Sequence, residues 1–153
     1  MQQMTQLDAI SRNILHQLER DGRISNTDLA SKVGLSPSAC LRRVQELERT
    51  GMVQGYRAII DPAVRGAAIT IFVMVGLSEH LKKDSLAFEQ AVAKAPEVRE
   101  CHNITGSVEY LLRVEVADLA AYKAFHADIL GTLPQVSSIT SHICLGSPTD
   151  KRA

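Results

Sequence analysis

A chain of 153 residues has room for one ordinary domain or two small ones. With 45% apolar and 22% charged residues it has the composition of a soluble globular protein, and its longest apolar run, "AAITIFVMVGL" at 67–77, is too short to span a bilayer and is interrupted by Thr70. Its 17 Lys/Arg and 17 Asp/Glu cancel, so any attraction to a polyanion has to be local.

The beginning, "MQQMTQLDAI", lacks the basic and apolar regions of a signal peptide. Three scattered cysteines (Cys40, Cys101, Cys144) are too few for a disulfide framework and fit a reducing, cytoplasmic compartment. Charge is uneven along the chain. Residues 1–60 carry eight Lys/Arg against six Asp/Glu, and between Arg23 and Arg43 four basic residues face only Asp28. Such a patch is an ordinary solvated face unless the fold aims it at a polyanion.

Leu7, Ile10, Ile14, Leu15 and Leu18 recur at helical spacing, and Asp21–Gly22 ends that first helix. In "SNTDLASKVG", Ser25 or Asn26 caps a second helix whose apolar positions are Leu29, Ala30 and Val33, and Gly34 breaks it. A third follows at once: Ser36 as cap, Pro37 at the first helical position, Leu41, Val44 and Leu47 as the buried stripe. Three short helices in about fifty residues, the last two joined by a turn at Gly34, predict a helix-turn-helix.

At about 100° per residue, Ser38, Ala39, Arg42, Arg43 and Glu46 fall on or near the side opposite that stripe. Free N–H groups at a helix start attract an anion, usually phosphate. Either arginine can grip a phosphate or reach guanine O6 and N7 with its two-pronged donor. The bland reading is a solvated helix with pairs such as Arg42–Glu46; the preceding helix and the Gly34 turn favour double-stranded DNA. Ser36, Arg23, Ser25 and Lys32 are the further candidates for contact with the duplex. Cys40, toward the buried side, reads as an inert core thiol.

"MVQGYRAIID", 52–61, is strand-like and ends at Pro62. A lone strand leaves its backbone unpaired, so it is expected to pair, for instance with its counterpart in a second chain. Then the period changes. "ITIFVMVGL" predicts a strand covered on both faces. A helix follows with Leu86, Phe88, Ala91, Val92 and Ala95, then strands "VRECHNI" and "YLLRVEV" around a Gly-containing turn. A helix with Leu119, Tyr122, Phe125, Ile129 and Leu133 ends at Pro134, and "VSSITSHICL" closes a β-α-β-β-α-β order. The predicted fold is α+β: a helix-turn-helix domain at 1–51, a linker strand at 52–62, a ferredoxin-like sandwich at 63–147 and a polar tail at 148–153. Its second sheet face keeps apolar positions that a partner subunit should cover.

These residues carry a family resemblance. "DGRISNTDLASKVGLSPSACLRRVQELERTGMVQGYRAIIDP", with "ECHNITGSVEYLLRVEVADLAAYKAF" and "LPQVSSITSHI", resembles the Lrp/AsnC family of bacterial and archaeal transcription regulators over roughly residues 7–145. The resemblance implies a winged or plain helix-turn-helix, a linker strand and a C-terminal ligand-sensing domain. It also implies dimers that often assemble into octamers and wrap DNA. It further implies an amino-acid effector pocket between dimers, lined by a Gly-x-x-Asp-Tyr turn and the last strand. Carried over by position, the turn is Gly106, Ser107, Val108, Glu109 and Tyr110, and the strand contributes His142, Ile143 and Cys144. Turn N–H groups can hold a carboxylate and a carboxylate side chain an ammonium; from sequence alone Gly106 can equally serve a tight hairpin only. Glu109 stands where the family usually has Asp, and His142 where it commonly has Tyr or Phe, which leaves the effector open.

Cys101, His102, His142 and Cys144 are the only metal-like grouping. They lie on the second and fourth strands, at opposite edges of a ferredoxin-like sheet, and lack close ligand spacing, so no metal is expected. No catalytic motif is present, and an aromatic content of 4% without Trp argues against a base-stacking platform for single strands. The expected function is a non-enzymatic, homo-oligomeric DNA-binding regulator biased by an amino acid and acting on genes of amino-acid metabolism. The alternatives are a ligand-independent architectural DNA binder and a metabolite-binding or enzymatic ferredoxin-like domain with a helical appendage.

Overall fold

The computed structural model describes residues 7–79 and 81–149. The chain forms two compact units that meet between Ala58 and Ile59, inside the expected linker. The end of the tail, residues 150–153, lies outside the described residues.

The first unit holds α1 (Ala9–Arg20), α2 (Asn26–Val33) and α3 (Pro37–Arg49). Each start is capped by an oxygen that accepts a backbone N–H: Asp8 from Ser11, Ser25 from Asp28 and Ser36 from Ala39. Gly34 ends α2 at φ 72°, left-handed backbone that glycine adopts without a Cβ penalty, and Leu35 N–H closes the turn on Ala30 C=O at 2.9 Å. Asn26 Nδ2 donates to Pro37 C=O at 2.7 Å and ties the start of α2 to the start of α3. Ile14, Leu29, Ala30, Cys40 and Leu47 form the buried core, with Val44, Met52 and Val53 packed against it. The expected stripe of α3 therefore needs one correction. Leu41 is 46% exposed, and Cys40, fully buried, takes the interior place beside Leu47.

Residues 52–61 form no strand in the single chain and pair with no other strand among the described residues. The expected linker strand is therefore not formed within the single chain, where these residues find no strand partner among the described residues.

The second unit runs β1 (Ile69–Leu77), α4 (Lys82–Val92), β2 (Val98–Asn103), β3 (Tyr110–Val116), α5 (Leu119–Asp128) and β4 (Val136–Ile143). The four-stranded sheet has the order β2-β3-β1-β4, antiparallel throughout, which is the ferredoxin-like arrangement. Alternation along β1 and β3 sends Ile71, Val73, Val75, Tyr110, Leu112 and Val114 into a core shared with Phe88, Val92 and Phe125 of the helices. Leu86 and Leu119, placed in the helical stripes by spacing, are exposed instead.

The other sheet face carries Phe72, Met74 and Leu111, with a charged cluster at one end. There Glu115, its side chain 3% exposed, meets Arg113 and, at 3.1 Å, Arg65; Arg99 lies 3.7 Å away. Arg113 also reaches Glu100 at 3.7 Å.

Candidate functional site

Two regions hold the chemistry, one in each unit. In the first, α3 presents one face outward. Ser38, Leu41, Arg42, Gln45 and Arg49 share it on a 100° wheel, and all five are exposed. Ser36 is also exposed, but its hydroxyl is committed to the cap and lies 3.3 Å from Ser38 Oγ. Ala39 is half-buried at the edge of this face.

The three arginines of α3 have different fates. Glu46 accepts two hydrogen bonds from Arg49, at 2.8 and 2.6 Å, a pair that holds the Glu46 carboxyl below its ordinary range. Glu46 thus partners Arg49 and not Arg42. Arg43, expected on the outer face, turns to α1 and donates to Asp8 at 2.6 Å and to Ser11 Oγ at 3.0 Å. Arg42 has no acidic partner among the described residues and stands exposed. Sequence spacing missed this sorting because Asp8 lies 35 residues from Arg43. Its one legible signal was an acidic cap ahead of the first helix.

The Asp8 carboxyl is lowered from 3.8 to about 2 by the Ser11 N–H above all, then by the Ser11 hydroxyl and Arg43. A depressed carboxylate stabilises the fold above its unfolded pKa, and that contribution is lost as pH falls through the folded one. Asn caps helices as well as Asp does, so Asp8→Asn removes the charge and spares the cap. The variant is expected to melt at a lower temperature at neutral pH and to lack part of the wild-type acid sensitivity between pH 3.8 and about 2. Parallel acid titrations by circular dichroism check this; superimposable profiles would remove the Asp8–Arg43 pair as a stabilising contact.

The remaining duplex candidates lie around α2. Arg23 and Lys32 are exposed, and they border an open depression of about 500 Å³ that Asp21 and Asp28 also line. Ser25 Oγ is engaged twice by Asp28, accepting its N–H at 3.1 Å and donating to its carboxylate at 2.6 Å. This flank is mixed in charge, and Arg42 is the less compensated cation.

In the second unit, the 104–109 turn leads into the start of β3, next to the end of β1. Gly106 has φ 128°, and Gly106 and Ser107 are exposed while Val108 is half-buried. Glu109 folds back on the sheet: its Oε2 accepts the Leu77 N–H at 2.6 Å and its N–H donates to Val75 C=O at 3.2 Å. A Cβ built on Gly76 would lie 2.4 Å from Ser138 Oγ, 3.4 Å from Ser137 Oγ and 3.7 Å from Glu109 Oε2. Glycine at 76 is what lets these oxygens gather.

Tyr110 is in the core. Its ring stacks on Phe88 with centroids 4.6 Å apart and its hydroxyl donates to Glu89 at 2.7 Å; burial, then this neighbour, push its pKa up.

The last-strand residues lie elsewhere. His142 pairs across from Phe72 and Ile143 from Ile71, whereas Gly76, beside Glu109, pairs with Ser138. Four residues of strand, about 13 Å, separate His142 from Ser138. Within one chain the structure therefore brings Glu109 together with Gly76, Ser137 and Ser138, and does not bring it to His142, Ile143 or Cys144. Cys144 Sγ lies 3.4 Å from Gly146 C=O. The signal for Ser137 and Ser138 was the "VSS" start of the last strand, which only the antiparallel register places against Gly76. Cys101 and His102 sit on β2, at the edge opposite β4, and no group of three His, Cys, Asp or Glu able to hold a metal occurs among the described residues.

Comparison with known proteins agrees with this division. The family described as the AsnC-type helix-turn-helix domain matches residues 7–48, and the Lrp/AsnC ligand binding domain matches residues 70–153. The leucine-responsive regulatory protein of Escherichia coli K12 is 41% identical over 139 residues, covering 91% of this chain and 85% of that protein. A transcriptional regulator from Neisseria meningitidis, solved in complex with L-Met, superposes with a TM-score of 0.89 at 33% identity, covering 94% of this chain and 93% of that one. An AsnC family transcriptional regulator from Agrobacterium tumefaciens gives 0.88 at 33% identity, with 94% of each chain covered. The chain belongs to the Lrp/AsnC family of transcriptional regulators, a family of DNA-directed switches and not of enzymes.

Proposed function

We propose that this regulator binds double-stranded DNA in the cytoplasm as a homo-oligomer and that an amino acid held by the second unit biases its output on genes of amino-acid metabolism. The observation that carries the DNA reading is the outward face of α3, where Arg42 stands without an acidic partner among the described residues beside small Ser38. Two such helices in a dimer would enter successive major grooves about 34 Å apart, which makes the operator a rough palindrome. Arg23 and Lys32 supply phosphate contacts at the flank, while Ser25, Ser36 and Arg43 shape the interface from within.

A second copy is the natural cover for the sheet face bearing Phe72, Met74 and Leu111, and a strand partner for residues 52–61. Dimers joined further into an octamer would also let His142, Ile143 and Cys144 of one chain reach the Glu109 turn of another. Glu109 is the group for an ammonium and the Gly106–Ser107 N–H groups suit a carboxylate, so the effector is an amino acid; the L-Met complex of the Neisseria relative supports that class. Helices long and apolar enough to cross a membrane are absent among the described residues.

The test is fluorescence anisotropy of the full chain on a random-sequence duplex across a salt titration, followed by thermal shift with each of the twenty amino acids. Binding that falls steeply with salt supports the DNA reading, and no binding at low salt overturns it. Stabilisation by one amino acid at millimolar concentration supports the effector reading; none points to a ligand-independent architectural protein.

Because the Glu109 carboxylate also accepts the Leu77 N–H, Glu109→Gln is the informative change: the amide oxygen keeps that bond and only the charge goes. The variant is expected to bind DNA normally and to bind the amino acid roughly ten- to a hundredfold more weakly. Unchanged ligand affinity by calorimetry would take Glu109 out of the pocket.

A further inference from the structure

Leu41 is one of several large apolar side chains that the fold leaves exposed. It is 46% exposed, yet it lies on a helix with a fully buried neighbour, Cys40, already filling the interior position. Single exposed leucines are common on protein surfaces and by themselves mean little. This one differs in its company. On the α3 wheel it shares the outward face with Ser38 at i−3, Arg42 at i+1 and Gln45 at i+4, which is the face a helix-turn-helix turns toward base edges.

The major groove offers one apolar group on those edges, the C5-methyl of thymine, and one edge that matches a side-chain amide in both directions, adenine N6 and N7. Leu41 and Gln45 carry these two complements. Four residues of helix rise about 6 Å, roughly the span of two base-pair steps, so both side chains can address one short run.

We propose that Leu41 and Gln45 form a base-reading pair that selects A·T pairs within the half-site, Leu41 by the thymine methyl and Gln45 by the adenine edge. The inference rests on the DNA reading above and adds sequence preference to it. It assigns Leu41 a partner outside the protein, whereas Arg42 supplies charge or a guanine contact next to it.

The experiment selects binding sites from a randomised duplex library with the wild-type full chain, Leu41→Ala and Gln45→Ala. Each thymine of the duplex selected by the wild type is then replaced singly by deoxyuridine, which removes only the methyl group. At one thymine per half-site, the wild type should lose about fourfold in affinity, the worth of one buried methyl. Leu41→Ala should bind more weakly overall and be indifferent to that replacement. Gln45→Ala should relax the preference for adenine within two base pairs of it.

Wild-type indifference to deoxyuridine at every position overturns the proposal. So does a Leu41→Ala variant with the wild-type deoxyuridine profile, including one whose only change is oligomeric state by sedimentation. Failure of the wild type to bind any duplex is a different result, which removes the DNA reading itself. Leu41 is absent from the core, so the variant should keep its melting temperature, and circular dichroism verifies that the comparison is between folded proteins.

Discussion

Replacing Glu115 by alanine is expected to destabilise the second unit by about 3 kcal/mol, the lower end of the cost of removing one partner from a buried ion pair. Glu115 is the one charged residue among the buried side chains described, and it faces Arg113, Arg65 and Arg99. Arg65 and Arg99 are about a third or more exposed, so water screens their share. Arg113, 17% exposed, is not so screened, and without Glu115 its guanidinium keeps, among the described residues, only the longer ion pair to Glu100.

The penalty is that of an uncompensated buried charge, which gives the prediction a second arm. Arg113→Met with Glu115→Met removes both charges and fills the space with apolar atoms of similar size. The double variant should recover most of the loss, since well-packed apolar replacements of buried ion pairs are often neutral. Urea denaturation followed by circular dichroism measures both. If Glu115→Ala unfolds at the wild-type midpoint, the cluster is decoration; if the double variant is as unstable as the single one, packing and not charge was at stake.

The fold was legible because the two halves of the chain use different periods and clear punctuation. Ser25, Gly34, Ser36 and Pro37 mark the helix-turn-helix locally, and each acts on atoms within four residues of itself. Likewise the apolar, β-branched run at 69–77 marks β1 as a strand, though as one covered on both faces, whereas in the single chain Ile71, Val73 and Val75 are buried and Phe72 and Met74 only half-buried. Features that depend on distant partners were not legible. Arg43 resembles Arg42 in one dimension, and only the approach of Asp8 separates them. Leu41 resembles a core leucine until Cys40 is seen to occupy the interior. In the second unit, the resemblance puts His142, Ile143 and Cys144 in a pocket between dimers, whereas within one chain the register sets Ser137 and Ser138 of β4 beside Glu109, a neighbourhood that sequence alone did not show. The linker strand expected at 52–61 is absent from the single chain, because no strand among the described residues lies alongside to pair with it.

The second large effect concerns DNA. Arg42→Ala is expected to weaken binding by about 1–3 kcal/mol per recognition helix, or roughly five- to 150-fold, if the guanidinium meets a base edge. A dimer engaging two independent half-sites would lose about twice that energy. If Arg42 meets phosphate alone, the loss should be uniform across sequences and the salt slope should fall by about one per contact. Arg42→Lys separates the two cases, because lysine replaces a point charge but not a two-pronged donor. Rescue by lysine means phosphate; failure to rescue, with lost discrimination between duplexes, means guanine. Arg43→Ala behaves differently on this account. It breaks the contact to Asp8 and Ser11, so melting temperature should drop while folded protein retains most of its affinity. Anisotropy on the selected duplex, paired with thermal melts of each variant, distinguishes these outcomes. Wild-type affinity and salt slope in Arg42→Ala would mean that α3 does not present this side chain to the duplex, and the assignment of the outward face would fall with it.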